Sequence, residues 1–68
     1  MKKEAVLRFL QQLNWEGGLT RDDLMRQVRD LKNKDVDLET LYLNLVGGRV
    51  YFSAEEAIGS IPESVWER

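Results

Sequence analysis

The chain has 68 residues, with 10 lysines and arginines against 12 acidic residues, and its formal net charge is -2 at pH 7. It contains no cysteine and no histidine. This excludes disulfides, the commonest zinc ligands, and the usual thiol nucleophile and general base. A chain of this length is also too short to enclose a typical ligand pocket alone. We therefore expect one domain over residues 1–68 that is not an enzyme and holds no cofactor, metal or small-molecule ligand.

The sequence has no long apolar segment and no basic leader followed by an apolar run. We therefore expect no membrane span and no signal peptide, with the cytoplasm as the location. The net negative charge argues against a general attraction to nucleic acid or anionic lipid, although it does not exclude a local basic patch.

The first predicted helix runs from residue 2 to about residue 14. Val6, Leu10 and Leu13 recur at the spacing of one helix face, as expected of an amphipathic helix packed on a core. Gly17 and Gly18 then end this unit, because glycine allows a sharp reversal of the chain.

The second predicted helix has the clearest start signal in the chain. Thr20 is placed to cap it, and Asp23, three residues later, supplies the acidic part of a capping box. The helix is expected to end near Asn33, a residue type found just beyond helix C-termini. Its core stripe consists of Leu24, Val28 and Leu31.

Residues 40–53 predict a β-hairpin. Two runs with alternating side chains, residues 40–46 and 49–53, flank a Gly47-Gly48 link, which is a typical two-residue hairpin turn. Because side chains alternate across a strand, one face is wholly apolar and is expected to lie on the helices. That inner face consists of Leu41, Leu43, Leu45, Val50 and Phe52. The outer face consists of Tyr42, Asn44, Val46, Arg49 and Tyr51.

The same stretch also fits a helix, with Asp37 as the N-cap and Gly47 just beyond the C-terminus. Under this alternative the protein is a three-helix winged-helix domain, with residues 49–52 as a wing strand. Residues 47–56 resemble the wing strand and following helix of small prokaryotic winged-helix proteins, including excisionase-like ones, over that short segment alone. We favour the hairpin, because β-branched and aromatic residues suit strands. The helical alternative rests on four residues that fall at the spacing of one helix face, namely Leu38, Leu41, Tyr42 and Leu45.

Ser53 and Glu56 form a second capping-box pattern, which predicts a short helix through about residue 58. Pro62 prevents this helix from continuing. The remaining tail either forms one further turn that folds Trp66 over the core or stays mobile, as chain ends often do. The predicted fold class is therefore α+β, with two helices, a β-hairpin and a short C-terminal helix, and with the helices on one face of the hairpin.

The outer face of the predicted hairpin is the first candidate site. Tyr42, Asn44, Arg49 and Tyr51 would combine aromatic, amide and guanidinium groups there, and Tyr and Arg are enriched in protein interfaces. The same tyrosines would equally serve as half-buried cross-strand neighbours. The open edges of a two-stranded ribbon also offer a place for a second copy or a partner strand. We expect a small interaction or regulatory module that acts through protein contacts, with a homodimer as one form of that contact.

The second candidate site would bind nucleic acid, in a winged-helix-like regulator of prokaryotic or phage type. Its residues are Arg21, Arg26, Arg29, Lys32 and Arg49. Such cations bind phosphates, but Asp22 and Asp30 lie four residues on either side of Arg26 and should neutralise much of this stripe. The alternative helix also opens with acidic residues, which repel phosphate where helix-turn-helix proteins approach DNA. Nucleic acid is therefore the less favoured partner.

Overall fold

The computed structural model describes residues 1–31 and 33–67, which form a small α+β domain, as predicted. The elements in chain order are α1 (Lys3–Leu10), β1 (Leu19–Thr20), α2 (Arg21–Val28), α3 (Leu38–Asn44), β2 (Val50–Tyr51), α4 (Ala54–Gly59) and a 3₁₀ helix (Glu63–Val65). Within these described residues, no helix has the length and apolar character needed to cross a membrane.

The first helix, α1, packs its apolar face into the core but ends earlier than predicted. Val6, Phe9 and Leu10 are buried, whereas Leu13 lies beyond the helix and is partly buried. The indole Nε1 of Trp15 donates a hydrogen bond to the carbonyl oxygen of Leu10 at 2.8 Å. This bond satisfies one of the carbonyl groups that a helix C-terminus leaves without a partner.

The capping box predicted at the start of α2 is confirmed. The N–H of Asp23 donates to the Thr20 hydroxyl oxygen at 3.2 Å, and the N–H of Thr20 donates to the Asp23 carboxylate at 3.3 Å. Leu24 and Val28 are buried on the inner face. The helix ends at Val28, earlier than predicted, and Leu31 is exposed.

Residues 38–44 form the helix α3, so the prediction of a strand over residues 40–46 is wrong and the helical alternative describes this segment. The Asp37 carboxylate accepts hydrogen bonds from the N–H of Glu39 at 3.1 Å and of Thr40 at 3.2 Å. The Thr40 hydroxyl donates to the same carboxylate at 2.8 Å. Leu41 and Leu45 are buried. Capping by Asp37 thus stabilises a helix in a stretch whose apolar spacing fits either structure.

A two-stranded antiparallel sheet is present, as predicted, but its first strand comes from elsewhere in the chain. β2 pairs with β1, with Leu19 opposite Tyr51 and Thr20 opposite Val50. The predicted inward and outward faces of residues 50–52 are therefore exchanged: Tyr51 is buried, and Val50 and Phe52 are exposed. Such an exchange follows because side chains on a strand alternate with a period of two.

The winged-helix alternative agrees with the structure at α3 and β2. The connector between α2 and α3, residues 29–37, is longer than the turn of about 3–4 residues in a helix-turn-helix motif. Val36 within it is buried. The N–H of Asp35 donates to the Asn33 side-chain oxygen at 2.9 Å, which stabilises the turn before α3.

The C-terminal part of the chain, residues 54–66, contributes buried side chains to the core. The N–H of Glu56 donates to the Ser53 hydroxyl oxygen at 3.1 Å, and the Glu56 carboxylate accepts the N–H of Phe52 at 3.1 Å. This confirms the short predicted helix, α4, which packs against α1. The 3₁₀ helix is the predicted further turn, and it brings Trp66 into the core.

Candidate functional site

Tyr51, which the sequence places in a partner-binding surface, lies in the core. Its side chain is 0% exposed. Its hydroxyl oxygen accepts the backbone N–H of Val46 at 2.9 Å and lies 3.4 Å from the Ser60 hydroxyl oxygen. The prediction that Tyr51 faces a partner is therefore wrong, because pairing with β1 turns this side chain inward.

The other three predicted interface residues already have contacts within the chain. The Asn44 side-chain amide donates at 2.8 Å to the carbonyl of the preceding helical turn. Tyr42 is half-buried beneath Arg21, whose guanidinium carbon lies 4.1 Å from the ring centroid. Arg49 is exposed, and its guanidinium carbon lies 5.2 Å from the ring centroid of Tyr51. The four residues therefore do not form the open surface expected of a hairpin face.

The residues predicted to bind nucleic acid have different surroundings. Arg26 pairs with Asp23, at 2.6 Å between Nη2 and Oδ1, rather than with the aspartates at four-residue spacing that the sequence suggested. Arg29 is exposed just beyond α2. Lys32 lies outside the described residues. One of the predicted phosphate-binding cations, Arg26, therefore already has a counter-ion within the chain.

The structure exposes four large apolar side chains within residues 43–52, which we call segment 43–52. The exposed fractions are 71% for Leu43, 52% for Val46, 40% for Val50 and 62% for Phe52. Across the described chain, just one other large apolar side chain is exposed, that of Leu31. The prediction that Leu43, Val50 and Phe52 face the core is wrong. A signal for Leu43 was present in the sequence, because a helix that turns residues 41 and 45 inward leaves residue 43 outside.

Val50 and Phe52 lie side by side on the outer face of the sheet, next to Gly18, and we call this pair the sheet patch. The backbone at Gly18 has φ +83°, a left-handed conformation that favours glycine. A Cβ at this position would clash with Val50 Cγ1 and lie 3.0 Å from Phe52 Cε1. The absence of a side chain at residue 18 therefore allows both apolar groups to lie against the backbone just before β1.

The opposite end of α3 borders a cleft of about 410 Å³. Hydrogen bonds from the Thr40 hydroxyl and N–H, and then from the Glu39 N–H, hold the pKa of the Asp37 carboxyl below its usual value. The Met1 amino group pairs with Glu67 at 3.3 Å. These groups stabilise a helix start and join the two ends of the chain, so they have structural roles. The cleft at this end of α3 is lined by Met1, Lys2, Ala5, Lys34, Asp35, Asp37 and Glu67.

Comparison with protein-family models, with curated proteins and with solved structures gives no match for this chain. Its function has to be inferred from its own geometry. Folding favours the burial of apolar side chains, yet segment 43–52 exposes four of them.

Proposed function

We propose that this protein is a small, non-catalytic interaction module that binds another protein through segment 43–52. The observation that carries this proposal is the exposure of Leu43, Val46, Val50 and Phe52 within one short segment. Exposed apolar groups that lie together on a soluble domain mark interaction sites, whereas scattered single ones do not. The domain is small, so its remaining apolar side chains are needed for its own core.

The backbone of this segment is held in one conformation by hydrogen bonds on both sides of its glycine turn. Val46 donates its N–H to the Tyr51 hydroxyl at 2.9 Å. Arg49 donates its N–H to the Val46 carbonyl at 3.4 Å. Phe52 donates its N–H to the Glu56 carboxylate at 3.1 Å. A surface that is already ordered loses less conformational entropy when a partner binds, which supports its use as an interface.

Leu43 lies on the outer side of α3 near its C-terminal end, and Val46 follows just beyond the helix, after the extended residue Leu45. The sheet patch follows directly after the turn. An interface of this kind would combine a helix end with a strand face, and its central groups would be Leu43 and Phe52, which have the largest exposed fractions.

A second copy of the chain is one form that such a protein contact could take. Sedimentation velocity over a concentration series tests this form. A dimer that is lost in the variant Phe52→Ser but kept in Leu31→Ser would support it. A monomer at every concentration would leave a different protein as the partner.

Photo-crosslinking tests the proposal as a whole. A photoreactive phenylalanine analogue is placed at Phe52, at Leu43, or at Leu31 as the matched exposed control, and the protein is expressed in the cells that produce it. We expect the same partner to be crosslinked from positions 52 and 43 and not from position 31. Crosslinks that are equal at all three positions, or absent from positions 52 and 43, would contradict the proposal.

A further inference from the structure

Arg21 and Arg49 occupy matching positions at one end of the sheet. The ladder pairs Leu19 with Tyr51 and Thr20 with Val50, so the next positions in the same register are residues 21 and 49. Each guanidinium group lies against a tyrosine ring, at 4.1 Å and 5.2 Å from the ring centroids. Two cations therefore flank the end of the ladder.

Neither of these two guanidinium groups has a carboxylate within 4.0 Å in the part of the chain that the structure describes. The ion pairs found there join Met1 to Glu67, Lys3 to Glu63 and Arg26 to Asp23. The end of the sheet next to α3 therefore carries two positive charges that have no carboxylate partner among the described residues.

The Arg21 side chain is held in place at the C-terminal end of α3. A Cβ at Gly47 would lie 2.8 Å from Arg21 Nη2, so the guanidinium group fills the space left by this glycine. Its Nε is buried and has no hydrogen-bond partner among the described residues. The helix C-terminus offers about half a negative charge, which offsets part of the guanidinium charge and leaves the rest for a ligand.

The two cations and the sheet patch meet at the end of the ladder. Arg49 precedes Val50 in the chain, and Arg21 follows Thr20, the residue opposite Val50. Side chains alternate along a strand, so Arg49 lies on the side of Tyr51 and the sheet patch on the other side. We propose that this end of the sheet binds an extended acidic segment of another protein, whose own side chains alternate in the same way. Carboxylates of that segment would pair with Arg21 and Arg49, and its apolar side chains would cover Val50 and Phe52. This proposal rests on the interaction function proposed above and adds the chemistry of the partner.

Charge complementarity favours this occupant over a second copy of the chain. A two-fold interface places the same patch on both sides, so the two cations would meet another cationic and apolar surface. The acidic residues nearest in sequence to the sheet patch, Glu55 and Glu56, already accept hydrogen bonds from the Gln11 side chain and the Phe52 N–H.

Charge also favours a peptide over a nucleic acid. Phosphate would pair with either guanidinium group, but a polyanion adds a charge at every nucleotide. It would be repelled by the acidic residues that open α3 and by the net charge of -2. A short acidic segment brings fewer charges and places them at the two arginines.

The test is selection of a random peptide library, displayed on phage, against the full chain. We expect the selected peptides to combine Asp or Glu with large apolar residues. A synthetic copy of one selected peptide should bind about tenfold more weakly to Arg49→Gln and to Phe52→Ser, a change of about 1.4 kcal/mol for each. Arg29→Gln and Leu31→Ser are the matched controls and should bind as the unchanged chain does. A copy with lysine in place of each acidic residue should not bind.

The other outcomes distinguish a failure of the acidic partner from a failure of the proposed interaction function. Selected peptides that need Phe52 but are neutral or basic overturn the acidic partner and leave the interaction function standing. Peptides that bind the Phe52→Ser variant equally well, or no selected peptides, overturn both. Tighter binding of single-stranded oligonucleotide than of the acidic peptide, lost in Arg49→Gln, overturns the acidic segment in favour of nucleic acid.

Discussion

The hydroxyl of Tyr51 accepts the backbone N–H of Val46 at 2.9 Å, and this bond joins β2 to the C-terminal end of α3. The tyrosine ring is fully buried. One side chain therefore contributes to the core and also fixes the turn that presents segment 43–52.

We expect the variant Tyr51→Phe to lose about 1 kcal/mol of unfolding free energy, because the N–H of Val46 loses its partner in a partly buried site. Tyr51→Ala should lose about 3–5 kcal/mol, the usual cost of removing a buried aromatic ring. Chemical denaturation followed by circular dichroism measures both. Tyr42→Phe is the control and should be nearly neutral. A small loss for Tyr51→Ala would mean that the ring lies on the surface.

Leu41 and Leu43 distinguish the helix from the hairpin. In α3 the first is fully buried and the second is 71% exposed, whereas a strand would place both on one face. We expect Leu41→Ala to cost about 2–5 kcal/mol and Leu43→Ala to change the unfolding free energy by less than about 0.5 kcal/mol. Equal losses in the two variants, measured by urea denaturation, would contradict the assignment of this segment.

Gly17 and Gly18 allow a matched comparison, because both have positive φ angles, +77° and +83°. An alanine at either position is strained by its backbone at a cost of about 1–2 kcal/mol. At residue 17 the space for the added Cβ is open, but at residue 18 the added Cβ meets Val50 and Phe52. We expect Gly18→Ala to lose about 1–3 kcal/mol more than Gly17→Ala, as measured by thermal unfolding. Similar melting temperatures would show that the sheet patch does not lie over residue 18.

The cap at Asp37 predicts a pH dependence. Hydrogen bonds from Thr40 and Glu39 lower the pKa of this carboxyl in the folded chain below its ordinary value of 3.8. Its charged form therefore contributes stability above pH 3.8, and this contribution is lost as the pH falls through the lower, folded pKa. Asp37→Asn keeps a capping oxygen but has no charge.

We expect the melting temperature of Asp37→Asn to lie below that of the unchanged chain at neutral pH and to approach it in strong acid. Thermal unfolding over a pH series measures this difference. Asp30→Asn, which alters an exposed aspartate away from the cap, serves as the control. A difference that persists in strong acid would show that the charge is not responsible.

The helix starts could be predicted from the sequence because their signals are local. Thr20 and Asp23 form both hydrogen bonds of the expected capping box. Ser53 accepts the Glu56 N–H as expected, whereas the Glu56 carboxylate accepts the N–H of Phe52, one residue before the cap. Asp37 is a similar local signal, and it caps α3 as the helical alternative predicts. Such signals depend on neighbours in the chain, which a sequence displays directly.

The conformation of residues 40–46 could not be decided in the same way. Leu41, Leu43 and Leu45 alternate, while Leu41 and Leu45 also share a helix face, so both periods fit. The strand partner of β2 lies at residues 19–20, far away in the chain, and no local signal identifies it. The candidate interface was misplaced for this reason, because the inward face of residues 50–52 depends on that distant pairing.

The pairing of residues 19–20 with 50–51 also affects the order in which the protein folds. Closing a loop of about thirty residues costs chain entropy, so contacts between distant residues form more slowly than local helical turns. We therefore expect β1 and β2 to pair after α2 and α3, which lie between them in the chain, have formed. A synthetic peptide of residues 38–53 would lack the strand that orients Tyr51, Val50 and Phe52. The proposed recognition surface therefore depends on the whole folded chain, and a linear peptide should not reproduce it.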